Sequence, residues 1–476
     1  MGNSPSAPAA FESCVRSALP ASAISVPTDL LYHTTAVKPY NLAYDITPIA
    51  VVRPSTTEEV SKVVKCASDS GIKVQPRSGG HSYGDYSIGG QDGSFVIDLV
   101  HFQKFEYDRS TGQATIGSGT LLGDLTNRLQ NVGRAMAYGL CPQVGIGGHA
   151  TIGGLGPLSR QWGSMLDQVV EAQVVLANGT VVRTSTSQSP ELFFCRLKAV
   201  KGAAASFGVV TEFKVNTHPQ PNEVTQYTYK IEVGSHRELA GYFQTWQAFI
   251  SQPDLSRKFA SQFIAYELGL IIQGAYYGPR SEFDALKFDE RVTSNKSALS
   301  VTVSDWLGSV VAFAAQEAIN LVGALDVSFY SKSLAIQDDT LMSNGTIQSL
   351  FNLFDTADKG SLAWFVIFDL AGGATNDVPL DATSYPHRNV LYFLQSYIVG
   401  IPFITNTSRN FLNDINGVVE SGMPNANLGA YAGYVDPFLA DSQSKYWGSN
   451  YPRLRKIKRE VDPGDTFRNP QSVAPA

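Results

Sequence analysis

The chain has 476 residues, enough for about two or three domains. It is 43% hydrophobic and 16% charged, ordinary for a globular protein with a sizeable core, and a formal net charge of −6 gives no basic surface for nucleic acid or an anionic membrane. No apolar run approaches roughly 18 residues, so no membrane span is expected.

Phe11 to Leu19 reads as a first helix and Ile49 to Val52 as a strand stopped by Arg53-Pro54. Ser55-Thr56-Thr57-Glu58 has the form of a capping box, and Val60, Val63, Val64 and Ala67 follow at helical spacing. Gly71 closes that helix. The next strand, Ile72 to Val74, delivers the chain to Pro76-Arg77-Ser78-Gly79-Gly80-His81-Ser82-Tyr83-Gly84, and another strand runs from Ser94 to Leu99. A Gly-Gly pair between strands lets several N–H groups turn toward one point, which suits a phosphate. Taken alone, the motif is equally a tight turn beside a surface His. It is not the usual dinucleotide fingerprint, because no helix begins there.

Gln113 to Gly119 alternates as a strand and Leu121 to Val132 reads as a short helix. A second glycine stretch follows, Gly139-Leu140-Cys141-Pro142-Gln143-Val144-Gly145-Ile146-Gly147-Gly148-His149, continuing through Gly153-Gly154-Leu155-Gly156. Val169 to Ala177 and Thr180 to Thr184 form a hairpin around Asn178-Gly179, a strong two-residue turn signal. Gly208 to Lys214 is a further strand.

Beyond Asn222 the glycines thin out. Strand-like runs (Thr225 to Glu232, Phe259 to Tyr266, Leu270 to Tyr276, Val390 to Tyr397) alternate with helical ones, chiefly Glu238 to Ile250 and Ser281 to Val292. Ala363 to Asp369 is apolar except for its last residue, and alternation puts Phe365, Ile367 and Asp369 on one face. Leu428 to Pro437 carries two tyrosines, Tyr431 and Tyr434, and Tyr451 to Val461 is a basic helix.

Two glycine runs, one ending in His81 and the other fronted by Cys141, resemble the flavoproteins of the vanillyl-alcohol oxidase superfamily. More narrowly, they resemble its berberine-bridge-enzyme-like and oligosaccharide-oxidase branch. The resemblance implies an α+β fold: a PCMH-type FAD-binding domain of two α/β subdomains, and a substrate domain whose antiparallel sheet is covered by helices. The implied boundaries are an N-terminal segment 1–40, the FAD domain 41–217, the substrate domain 218–427, and a return to the FAD domain over 428–476.

It also implies FAD bonded twice, through His81 to the flavin 8α carbon and through Cys141 to C6. Ser78, Gly79, Gly80, Ser82, Tyr83 and Gly84 would line the cofactor from the first motif. Gly145, Gly148, Gly153 and Gly154 would do so from the second, with Val209, on the strand that lies against the adenine end in relatives, and Asn469. His149 is expected to be structural.

The implied base is Tyr434, the last tyrosine of a segment, Leu428 to Pro437, that resembles a strand of the family, assisted by Asp369. Free tyrosine titrates near ~10, and a carboxylate accepting its O–H helps the phenol take up a proton. The plain alternative is two tyrosines packed in a sheet and an Asp capping a turn before Gly372-Gly373. Tyr83, Gln395, Ile367 and Tyr431 would face substrate, and no metal set is assigned. Relatives often bond the equivalents of Cys14 and Cys66; two packed thiols are the alternative.

Three departures stand out. Ile367 replaces a polar amide and Leu140 a Thr of the sugar-oxidising relatives, and a site that reads sugar hydroxyls needs such groups. Cys195-Arg196-Leu197-Lys198 looks like an insertion before Ala199-Val200-Lys201-Gly202. The expected activity is therefore oxidation of a hydroxyl or phenol on a small secondary metabolite, with O2 as acceptor. The alternatives are a secreted oligosaccharide oxidase forming a lactone and a flavin-binding protein without turnover. A monomer is expected. With no secretory stretch in the first residues, an intracellular location is favoured over secretion.

Overall fold

The computed structural model describes residues 7–185, 192–232, 235–292, 299–321 and 327–476. Three larger sheets organise them, beside a two-stranded one pairing Arg134–Ala135 with His218–Pro219. The first has the order Ile24–Ser25, Ala50–Val52, Phe95–Asp98, Val74–Arg77; its last two neighbour pairs are parallel. Parallel strands need a crossover, and the helix Thr57–Asp69 supplies it, laying Val60, Val63, Val64 and Ala67 on Val52, Val74 and Phe95.

The capping box lies one residue later than expected. Thr56, not Ser55, accepts from the Glu59 N–H at 3.1 Å, because Thr56 still has extended angles and the helix starts only after it. Across this unit lies the helix Ala7–Ala18, tied to it by a disulfide between Cys14 and Cys66.

The second sheet is antiparallel throughout: Phe105–Asp108, Gln113–Gly117, Val209–Asn216, Val169–Val175, Val181–Ser185. The expected hairpin is there, with Gly179 at φ +80° in its turn. The third sheet has seven antiparallel strands, in the order Leu299–Ser304, Val224–Glu232, Gly269–Tyr276, Phe259–Tyr266, Trp364–Leu370, Val390–Gly400, Ser328–Gln337. Helices Ala240–Ile250, Asn344–Thr356 and Asn406–Gly422 cover one face, where Phe243, Trp246, Phe263, Phe351, Phe368 and Tyr392 form the largest core. Alternation then turns Phe365, Ile367 and Asp369 away from that core.

Two expected elements are altered. The helix over Ser281 to Val292 breaks into Arg280–Ala285 and Phe288–Arg291, with Lys287 left-handed at φ +52° between them. Phe283 and Phe288 both pack on Tyr227, and five residues apart they do not share a helical face. The break lets both reach the core. Leu428 to Pro437 is not a ladder strand: it makes a single bridge, Gly429 to Ala335, and then turns, with the Tyr434 N–H bonded to Tyr431 O at 2.9 Å.

Cys195 to Lys198 lie within the helix Leu192–Ala203. Four residues are about one helical turn, so an insertion of that length would lengthen the helix and keep the direction in which it ends. The helix Leu192–Ala203 leaves helical angles at Lys201 and Gly202 (φ 132°), where Gly202 lies against Ser384 and Tyr385. The C-terminal helix Tyr451–Val461 packs Leu454 and Ile457 on Ala199, Ala203 and Phe207. None of the described helices is long and apolar enough to cross a membrane.

Candidate active site

Where the strand Val74–Arg77 ends, the buried Arg77 guanidinium donates to Ala36 O, Val37 O and Asp98, which fixes the start of the first glycine loop. Ser78 Oγ donates to Ser118 O at 2.6 Å and accepts from the Gly147 N–H at 3.2 Å, so one hydroxyl joins the two glycine stretches. They meet backbone to backbone: a Cβ on Gly79 would lie 2.3 Å from Gly145 N. No other residue fits there. A Cβ on Gly148 would meet nothing within 4 Å and would project into open space. That is what a backbone made for close approach of a ligand looks like.

The two loops wall a cavity of about 530 Å³. His81 and Cys141 both border it. Burial pushes the His81 imidazole down to about 4, so it is uncharged at pH 7. Tyr40 lies against it, ring centroids 4.3 Å apart. Cys141 Sγ is 3.5 Å from Gln143 Oε1 and is not in a disulfide. His149 accepts the Gly139 N–H at 2.9 Å and supports its own loop, as expected. Another part of the wall gathers Gln75, Ala205, Ser206, Gly208, Val210 and Asn469, with Asn469 Nδ2 donating to Gln75 Oε1 at 3.3 Å.

The seven-stranded sheet supplies the opposite wall. Asp369 Oδ1 accepts from Gln262 Nε2 at 2.6 Å, and Oδ2 is 3.4 Å from the Tyr434 hydroxyl. Burial pushes Asp369 up to about 6, while the Gln262 and Tyr434 hydrogen bonds pull it down. Tyr434 stacks on Tyr83 at 6.0 Å between centroids, and Gln395 Nε2 donates to the Tyr83 hydroxyl at 3.2 Å. Ile367, Leu140, Phe313 and Tyr397 add apolar surface to the same cavity.

Some expected residues sit elsewhere. Val209 points into the core beside Val64 and Val74, and its neighbour Val210 borders the cavity, because successive strand residues face opposite ways. Gly84 lies against Tyr86, Val435 and Pro437, and Gly153 against the rings of Tyr431 and Tyr385, both behind the wall. The Gly154 N–H donates to the Tyr431 hydroxyl at 2.9 Å. The Tyr431 ring still borders the cavity, but its hydroxyl is engaged with the loop. Sequence reasoning missed Tyr40, which has no local signal, and Gln262, which had one. Phe259 to Tyr266 and Gly269 to Tyr276 flank a two-residue turn, so Gln262 and Gln273 had to lie opposite each other.

A family model described as "FAD binding domain" matches residues 48–185, and one described as "Berberine and berberine like" matches 430–474. An FAD-linked oxidoreductase, sorD, of Penicillium rubens is 37% identical over 98% of this chain and 99% of its own. Among solved structures, a chitooligosaccharide oxidase superposes with a TM-score of 0.89 at 29% identity, covering 98% of this chain and 100% of that one. A glucooligosaccharide oxidase from Acremonium strictum, studied for its 6-S-cysteinyl, 8α-N1-histidyl FAD, gives 0.86 at 26% identity over 98% and 99%. The chain belongs to the FAD-linked oxidoreductases of the berberine-bridge-enzyme-like and oligosaccharide-oxidase branch. It is an FAD-linked enzyme.

Proposed function

We propose that this enzyme oxidises a hydroxyl or phenol on a weakly polar small molecule, with FAD bonded to both His81 and Cys141 and O2 as electron acceptor. The cavity fits the cofactor: His81 and Cys141 open onto one space from two abutting loops, and Gly148 leaves room for a ligand against its backbone. When bound, FAD would take two electrons from the substrate, as a hydride from the carbinol carbon where the substrate is an alcohol, and dioxygen would take the electron pair onward.

The remaining work falls to this chain. Tyr434 holds the substrate hydroxyl by accepting its hydrogen bond while its own O–H points to Asp369 Oδ2. As the hydroxyl loses its proton, Tyr434 takes it and passes its own to Asp369. An Asp near 6 is ionised at pH 7 and still basic enough to share that proton. Stacking on Tyr83, itself held by Gln395, keeps the phenol in place.

The observation that carries the substrate class is the apolar part of the cavity wall. Ile367 and Leu140 present methyl groups to the cavity, where reading a sugar would require hydrogen-bonding groups. The resemblance to sugar oxidases supports the second reading, oxidation of a reducing-end sugar to its lactone. Product analysis separates the two. Incubation with phenolic and allylic alcohols on one side, and cello- and xylo-oligosaccharides on the other, should give peroxide and oxidised product only from the first set. A lactone with peroxide from the sugars would overturn the proposal.

A further inference from the structure

Behind Asp369 runs a hydrogen-bonded chain that the reaction itself does not require. Gln273, Gln262 and Asp369 are register partners on three adjacent strands, so their side chains share one face. Gln273 Nε2 donates to Gln262 Oε1 at 2.8 Å, and Gln262 Nε2 donates to Asp369 Oδ1 at 2.6 Å. Gln273 is fully buried and is not part of the cavity wall. Its Oε1 has no hydrogen-bond partner. A buried carboxamide whose oxygen has no partner destabilises the fold, and an apolar side chain of the same size would serve packing better. Its presence there calls for another reason.

That reason is orientation. Gln262 could point either its oxygen or its NH2 at the carboxylate. With Gln273 donating to its oxygen, only the NH2 is left for Asp369. The carboxylate is thereby held by Oδ1, and Oδ2 is left facing Tyr434. We propose that Gln273 and Gln262 are positioning residues for the Asp369–Tyr434 pair, Gln273 setting the direction of the Gln262 amide and Gln262 setting the rotamer of Asp369. This rests on the reading of that pair as the proton acceptor.

The chain also keeps Asp369 ionised. The groups facing it are Gln262 from one neighbouring strand, Phe393 from the other, and Tyr434 from the C-terminal segment, none of them charged. The Gln262 donor favours the charged form, so loosening it raises the pH at which the carboxyl titrates.

The test needs no substrate. Infrared difference spectra of the FAD-loaded enzyme, taken across pH, show the Asp369 carboxyl band, identified by its loss in Asp369→Asn. The wild type should titrate near 6. Gln273→Met and Gln273→Leu should titrate about one pH unit higher, as expected for a weakened hydrogen bond to the charged form. Their visible spectra should be unchanged and their unfolding temperatures equal or higher. Midpoints unchanged in both variants would overturn the proposal. Failure of the underlying reading looks different: Asp369→Asn would then turn over a substrate found by screening as fast as the wild type, whatever the band does.

Discussion

Replacing Asp369 by Asn should make the enzyme more stable at neutral pH while stopping turnover. Asn keeps the shape, accepts from Gln262 through its oxygen and donates to the Tyr434 oxygen through its amide. What changes is charge. In the folded protein the carboxyl titrates near 6, above its unfolded value of 3.8, because burial disfavours the ion. A raised carboxyl binds its proton more tightly when folded, so folding is penalised as pH rises from 3.8 through 6, and the penalty is constant above that. About two pH units at roughly 1.36 kcal/mol each gives a cost of about 3 kcal/mol at pH 8, an upper value because the group borders the cavity. Thermal unfolding of the FAD-loaded wild type and Asp369→Asn, side by side from pH 8 to pH 4, measures it. The variant should unfold at the higher temperature at pH 8, and the gap should close as pH falls through the window from 6 to 3.8. A gap that does not change with pH, or a variant that is less stable at pH 8, would refute the reasoning.

Tyr434→Phe removes the hydroxyl that meets Asp369 and should lower kcat by roughly 10²–10⁴ with flavin content intact, read by stopped-flow reduction with the best substrate found. Gly79→Ala places a Cβ 2.3 Å from Gly145 N and 2.5 Å from Gln143 O, both backbone atoms, so the loops must part. The strain, about 1–3 kcal/mol, should appear as a sub-stoichiometric flavin absorbance in the purified variant. The paired variant Cys14→Ser/Cys66→Ser opens a link across 52 residues and should lose roughly 4 kcal/mol by the loop-entropy rule, seen as an earlier denaturant midpoint.

Much of this site was readable because its parts are local. The turn after Val74–Arg77 needs glycines whatever surrounds it, and strand alternation alone put Ile367 and Asp369 on one face. Asp369 and Tyr434 belong to segments 65 residues apart, and only the family pattern paired them; their 3.4 Å contact depends on the tertiary fold. The Val209 side chain faces the core and that of Val210 the cavity, an offset of one residue that reverses a strand side chain. Leu428 to Pro437 resembles a strand of the family, yet Gly154 and Ser333 satisfy it instead of a ladder partner, through the Tyr431 hydroxyl and the Tyr431 N–H. Tyr40 reaches His81 because Asp85 accepts the Tyr40 N–H and Asn41 donates to Tyr83 O, contacts across more than forty residues that no local period announces.

The central claim is that two side chains, one from each glycine loop, hold FAD covalently. Intact mass and visible absorbance of the purified enzyme, before and after acid precipitation, test it directly in the wild type, His81→Ala, Cys141→Ala and the double variant. Flavin should stay with the precipitate in the wild type and in each single variant, and be released only from the double. Release of all flavin from the wild type, or from either single variant, would contradict the double attachment.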